Sequence, residues 1–117
     1  MPVINRIAAD APELTEWRRD LHANPELGLE EHRTSQIVAD KLAAWGITVT
    51  RGLAGTGLVG TLKIGTSDRS IGIRADMDCL PMTEENDFPH KSTIPGRMHA
   101  CGHDGHTAML LGAAKYL

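Results

Sequence analysis

The chain has 117 residues, 41% of them hydrophobic and 23% charged, with a formal net charge of −3. That length suits one modest domain, which on folding alone buries about two-thirds of its unfolded surface. Interspersed acids and bases give no reason to expect nucleic acid or an anionic membrane surface as a partner. No apolar run approaches the roughly 20 residues that a membrane span needs. The run from Met1 to Asp10 lacks the charged-then-apolar layout of a secretory signal. Cys79 and Cys101 could pair in principle, but two cysteines in an unexported chain are expected to stay reduced. The expected location is the cytoplasm.

In chain order, Asp10, Ala11 and Pro12 read as a helix start, with an oxygen-bearing cap and a proline in the first turn. Leu14, Trp17 and Leu21 recur at helical spacing and define a buried face. Asn24-Pro25 ends that helix, because the residue before a proline is pushed out of the α region. A second helix is expected over 30–45, with Val38, Leu42 and Trp45 as its apolar stripe, Ile37 widening it and Gly46 as its stop. Residues 47–50 and 58–64 are β-rich runs separated by a Gly-rich turn, and 71–75 reads as a third strand. Residues 77–98 read as a long loop holding three of the six prolines; loops of that length in a small domain are usually functional. A last helix is expected from Asp104, carrying Met109, Leu110, Ala113 and Ala114 inward. The order implies an α/β layer arrangement with helices over a sheet. After the last helix no strand follows, which leaves the pattern unfinished.

The strongest chemical signal lies near the end. His99, Cys101, His103 and His106 fall within eight residues of a chain with two cysteines and six histidines. Imidazole and thiolate are the donors that zinc and similar divalent ions take most readily. A lone histidine is more often a satisfied structural side chain, but four ligand types at this spacing argue for a metal. Cys101 and His103, one residue apart, point to the same side of an extended segment and can reach one ion. The helix beginning at Asp104 favours the thiolate form of Cys101. His99 and His106 fit hydrogen bonding around such a site equally well.

Asp76 and Asp78 lie at the end of the expected third strand, where α/β sheets gather ligands. One could bind a metal and the other could hold a metal-bound histidine in its working tautomer; the plain alternative is that they cap a loop or pair with Arg74. Glu84, Glu85, Glu30 and Glu31 are possible general bases, although acidic pairs usually face solvent. Residues 52–60 are glycine-rich but lack the order of a phosphate loop, and no serine-nucleophile signature is present. Cys79 comes directly after the carboxylates and reads as a small buried thiol.

Three stretches together resemble the M20 metallopeptidase family, in its branch of hippurate hydrolases, N-acyl-amino-acid amidohydrolases and auxin-conjugate hydrolases. They are Arg18-Arg19-Asp20-Leu21-His22-Ala23-Asn24-Pro25-Glu26-Leu27, Arg74-Ala75-Asp76-Met77-Asp78-Cys79-Leu80-Pro81-Met82, and the run from Pro95 through His-Ala-Cys-Gly-His-Asp-Gly-His to Ala108. Cys79 stands where the family more often has alanine. The resemblance implies that Cys101 and His103 are metal ligands and that Asp78 orients and tunes the site. Asp76 occupies the place of a metal-binding histidine in other branches. The fold implied is the N-terminal part of a layered αβα catalytic domain of the zinc-exopeptidase type, with 1–117 holding neither the lid domain nor the rest of the catalytic domain. The chemistry implied is hydrolysis of the amide of an N-acyl amino acid, with two divalent ions per complete site, zinc, manganese, cobalt or nickel. The family's glutamate base and two further histidine ligands come later in its longer members. The chain alone is therefore expected to hold metal weakly and to turn over little. Two other readings stay open: a structural zinc module built on the cysteine-histidine cluster, and a fragment that completes its sheet by pairing with another copy, a homo-oligomer.

Overall fold

Asp10 and Pro12 do mark a helix start in the computed structural model, which describes residues 3–117. A short helix α1 (Asn5–Ala9) leads directly into α2 (Ala11–Ala23), with proline in its first turn. Asp10 does not cap α2 through its side chain. Its carboxylate instead accepts a 3.0 Å bond from Lys115, which also pairs with Glu13. This ties the first helical segment to the last. Helix α2 ends before Asn24-Pro25, as the proline demands.

Helix α3 (His32–Ala44) starts two residues later than its apolar pattern suggested and stops ahead of Gly46, which has φ +77°. The chain then turns into β1 (Thr48–Leu53) and β2 (Gly57–Thr61), an antiparallel hairpin with Thr48 opposite Thr61 and Thr50 opposite Val59. Ala54 (φ +49°) and Gly55 (φ +93°) make the tight connection, and a bulge between Arg51 and Leu53 absorbs the register shift. The last helix, α4 (His103–Tyr116), crosses α2 closely. A methyl group on Gly112 would meet Leu14 Cδ2 at 2.6 Å, so a larger residue there would have to displace that side chain. Leu42, Ile47 and Leu111 form the buried centre, flanked by Trp17, Val38 and Trp45. The Trp17 and Trp45 rings lie 5.8 Å apart, and the Lys41 ammonium sits 4.1 Å over Trp17.

Two expectations need correction. Residues 71–75 form no strand; the chain there is irregular, with Ile71 87% and Ile73 60% exposed. A β-rich sequence becomes a strand only when neighbouring backbone accepts its hydrogen bonds, and among the described residues only β1 and β2 pair as strands. The inward face of α4 is also rotated from the expected one. Asp104, Thr107, Ala108 and Leu111 are its buried residues, whereas Met109 is 62% exposed. Two polar members, bonded to partners elsewhere, hid that stripe from a reading based on hydrophobicity. Among the described residues the fold is α/β, with α3 packed on the hairpin and α4 packed on α2 and α3. Leu58, Leu62, Ile71, Ile73, Leu110 and Leu117 line an open apolar groove beside α4. No described helix is long and apolar enough to cross a membrane.

Leu111 is 2% exposed at the centre of the core. Leu111→Ala is expected to lower unfolding free energy by about 2–5 kcal/mol through lost burial and a residual cavity. Met109→Ala should stay within about 0.5 kcal/mol. Urea titrations of both variants measure the contrast, and equal effects would mean that the face of α4 is assigned wrongly.

Candidate metal centre

The third resembling stretch becomes an extended approach that runs into the first turns of α4. Gly102, with φ +93°, makes the corner that lets His103 open the helix. His106 lies one turn on, so both imidazoles emerge on neighbouring positions of one face, with ring centres 5.3 Å apart. The 74–78 segment runs beside this turn, held there by a 2.9 Å bond from Thr107 Oγ1 to the Asp76 carbonyl.

Asp76, His103 and His106 each bring one donor atom to within 4.8 Å of the others. His103 Nδ1 lies 2.9 Å from both the Asp78 carbonyl and Asp78 Oδ1. Two acceptors at Nδ1 select the tautomer with its proton there and leave Nε2 as a bare donor. That nitrogen is 3.6 Å from Asp76 Oδ2. Asp76 Oδ1 is engaged by the Arg74 guanidinium in a 2.5 Å ion pair, which leaves Oδ2 as the oxygen turned toward His103. A carboxylate oxygen and an imidazole lone pair this close together are donors that suit a divalent cation, which would share the Asp76 carboxylate with Arg74.

Of the residues singled out from the sequence, His103 and Asp78 are therefore brought together. Cys101 is a free, exposed thiol and stands outside the Asp76–His103–His106 group. His106, for which spacing left ligation and hydrogen bonding equally open, is a member of that group. Cys79 is buried and free, and burial pushes its thiol up from the ordinary value. His99 is 4% exposed with neither ring nitrogen hydrogen-bonded, and burial pushes its imidazole down.

The acidic candidates sort by partner. Glu85 is exposed. Glu30 pairs with Arg97 at 3.1 Å, and the buried Glu31 accepts a 2.5 Å bond from Thr56. Glu84 does not face solvent: its side chain is 1% exposed and engages His22, Asn86 and the Ser92 N–H. A carboxylate bonded so fully is no free general base. The sequence reading missed His22 as a participant. Its only signal was a polar residue next to Leu21 on the buried side of a helix.

The sequence pattern of Peptidase family M20/M25/M40 matches residues 72–117, the part that carries all of these donors. The chain is 52% identical over 105 residues to the hippurate hydrolase of Campylobacter jejuni, a match spanning 90% of this chain and 27% of that protein. It is 50% identical over 99 residues to an N-acyl-L-amino acid amidohydrolase of Geobacillus stearothermophilus, spanning 85% of this chain and 27% of the relative. Its fold superposes with a TM-score of 0.87 and 37% identity on a Bacillus subtilis protein described as a dinuclear metal-binding peptidase from the M20 family, covering 93% of this chain and 31% of that one. The chain belongs to the M20 peptidase family. It spans roughly 30% of the length of the relatives it matches.

Glu84 gives the site a measurable pH signature. Burial alone would raise its carboxyl, but donors from Ser92, Asn86 and His22 outweigh that and lower it from 4.5 to about 2. A depressed carboxyl contributes stability that is complete above the unfolded value and is lost as pH falls through the folded one. The wild type should therefore lose stability relative to Glu84→Gln between pH about 4.5 and about 2. Denaturant midpoints of both proteins across that range check this; parallel curves would remove Glu84 from the buried network.

Proposed function

We propose that the whole protein to which this chain corresponds is a divalent-metal amidohydrolase that cleaves the amide of N-acyl amino acids. The observation carrying this reading is the Asp78–His103 pair: an imidazole locked with Nδ1 toward a carboxylate and Nε2 free beside Asp76. The names of the relatives, a hippurate hydrolase and an N-acyl-L-amino acid amidohydrolase, supply the substrate class. A bound divalent ion would polarise the scissile carbonyl and lower the pKa of an attacking water. This chain's own residues hold and orient. His103 and Cys101 are the proposed ligands, Asp78 keeps His103 in its tautomer, and Asp76 and His106 stand within reach of the same ion. Two ions per complete site is the stoichiometry proposed, with zinc, manganese, cobalt and nickel all compatible with imidazole and carboxylate donors. In this reading the general base and further ligands belong to the part of such enzymes that the chain does not span, as does any lid domain. The two free cysteines agree with a reducing compartment such as the cytoplasm.

A cobalt titration tests the donor set. If Cys101 binds, the wild type shows a near-ultraviolet thiolate-to-cobalt band that Cys101→Ser abolishes. A cobalt spectrum without that band, unchanged by Cys101→Ser and lost in His106→Ala, assigns the ion to Asp76, His103 and His106 instead. No cobalt spectrum at millimolar metal would sink the metal reading. Hippurate turnover by the 117-residue chain alone is expected to stay at background.

A second reading, self-association of this chain, is supported by the apolar groove beside the unpaired 71–75 segment, where Ile71, Ile73 and Leu117 are exposed. Sedimentation velocity over a hundredfold concentration range separates the two. A growing sedimentation coefficient that Ile71→Lys abolishes supports pairing, and a constant monomer rejects it.

A further inference from the structure

We propose that His22 is a positioning residue for the metal-binding turn, clamping the start of α4 and the long 77–98 loop in one arrangement. The inference rests on the metal reading of His103 and extends it to a residue 81 positions earlier in the chain.

His22 is 3% exposed in the last turn of α2, and each of its ring nitrogens faces a different carboxylate. Nδ1 lies 2.7 Å from Asp104 Oδ2 and Nε2 lies 2.9 Å from Glu84 Oε1. Both carboxylates are 1% exposed. Each ring nitrogen thus has a carboxylate within hydrogen-bond reach, so the one ring links two segments that are far apart in sequence. Arg18 Nε sits 2.9 Å from Asp104 Oδ2 as well, and its Nη2 lies 3.1 Å from His22 Nδ1, so guanidinium and imidazole converge on the one oxygen. The Arg18 side chain is 38% exposed, so the guanidinium reaches the buried Asp104 from the solvent side while His22 holds it from within. Phe88 and His90, stacked at 4.1 Å, have ring centres 5.8 and 5.9 Å from His22 and help to screen it from water.

Each arm of the clamp leads to a metal-site residue. On one side, Asp104 comes directly after His103, and its Oδ1 accepts from the Gly105 N–H at 2.9 Å. Fixing that carboxylate fixes the first turn of α4, from which His103 and His106 project. On the other side, Glu84 Oε2 accepts from Ser92 N–H at 2.5 Å, and Ser92 Oγ bonds the Arg97 carbonyl at 2.6 Å. The loop is closed by the mutual bonds of Leu80 and Met98, one residue before His99 and two after Asp78. The clamp therefore sets Asp78 and His103 relative to each other from outside their own hydrogen bond. It touches neither substrate nor ion.

The test reads His103, not only stability. Long-range 1H–15N spectra of the metal-free chain report the tautomer of each imidazole, and cobalt titration reports affinity. The wild type is expected to show His103 with its proton on Nδ1. In His22→Gln the His103 signals should become a tautomer mixture, and cobalt affinity should fall by about 10- to 100-fold, the usual cost of losing a partner behind a ligand. Since His22→Gln takes the imidazole away from the Glu84 carboxylate, His22→Gln with Glu84→Gln, which places two amides there, serves as the second variant. It should regain much of the stability without regaining the tautomer or the affinity. If neither folds, Glu84→Gln alone decides, with a smaller loss of affinity expected because the Asp104 arm survives. A folded variant of this set that keeps the wild-type His103 tautomer and a cobalt affinity within twofold overturns the proposal. Absence of cobalt binding by the wild type would strike the metal reading instead, leaving the tautomer measurement to judge the clamp.

Discussion

A buried imidazole with a carboxylate on each side is the constraint on which the rest of this structure depends. Burying Asp104 and Glu84 is costly unless each is met by donors, because an unpaired charge in a dry interior costs on the order of several kcal/mol. His22 and Arg18 meet that need from one turn of α2. In doing so they bring together three segments far apart in sequence: the end of α2, the start of α4 and the middle of the long loop. Hydrophobic burial around Leu42, Ile47 and Leu111 lies at the other end of α4 and could not by itself fix where the loop crosses the helix. The polar cluster supplies direction where apolar packing supplies only adhesion.

The metal edge inherits its order from that arrangement. His103 is one residue from Asp104, and its Nδ1 is held by Asp78, which opens the loop that Glu84 closes down. The donor nitrogen of His103 thus has its orientation determined by hydrogen bonds on the ring's far side, and the ring is only 15% exposed. Asp76, by contrast, lies on a segment with no strand partner, and it is positioned mainly by the Thr107 bond to its carbonyl. One donor of the group stands on a rigid helix and another on a backbone whose hydrogen bonds remain open, which makes 74–78 the softer side of the site.

Much of this was legible in the sequence, and the failures have physical causes. Proline and glycine punctuation ended α2 and α3 within two residues, because those rules act through local sterics that tertiary structure does not override. The crowding of His99, Cys101, His103 and His106 pointed to the turn where His103 and His106 lie beside Asp76. The strand at 71–75 failed because strand formation is a property of a pair, and the sequence of one member does not reveal its partner. Met109 was placed inward because the reading counted apolar residues, whereas the α4 face is set by Asp104 and Thr107, whose burial depends on His22 and Asp76. Glu84 was read as a solvent-facing acid for the same reason. Buried ionic clusters look like surface in a single sequence, since their compensating charges lie tens of residues away.

His99 shows how closely charge is apportioned around this site. It is buried near two groups that attract or carry positive charge, with its ring centre 6.4 Å from that of His22 and His103 a few residues on. Desolvation is the largest influence on it and favours the neutral ring; Asp104 pulls the other way, while His22 and His103 add to the downward push. A neutral imidazole there fills space without adding charge, and both of its nitrogens remain open to a polar partner. His22 and His99 are equally buried but differently partnered. The difference between them lies wholly in whether carboxylates stand within hydrogen-bond reach.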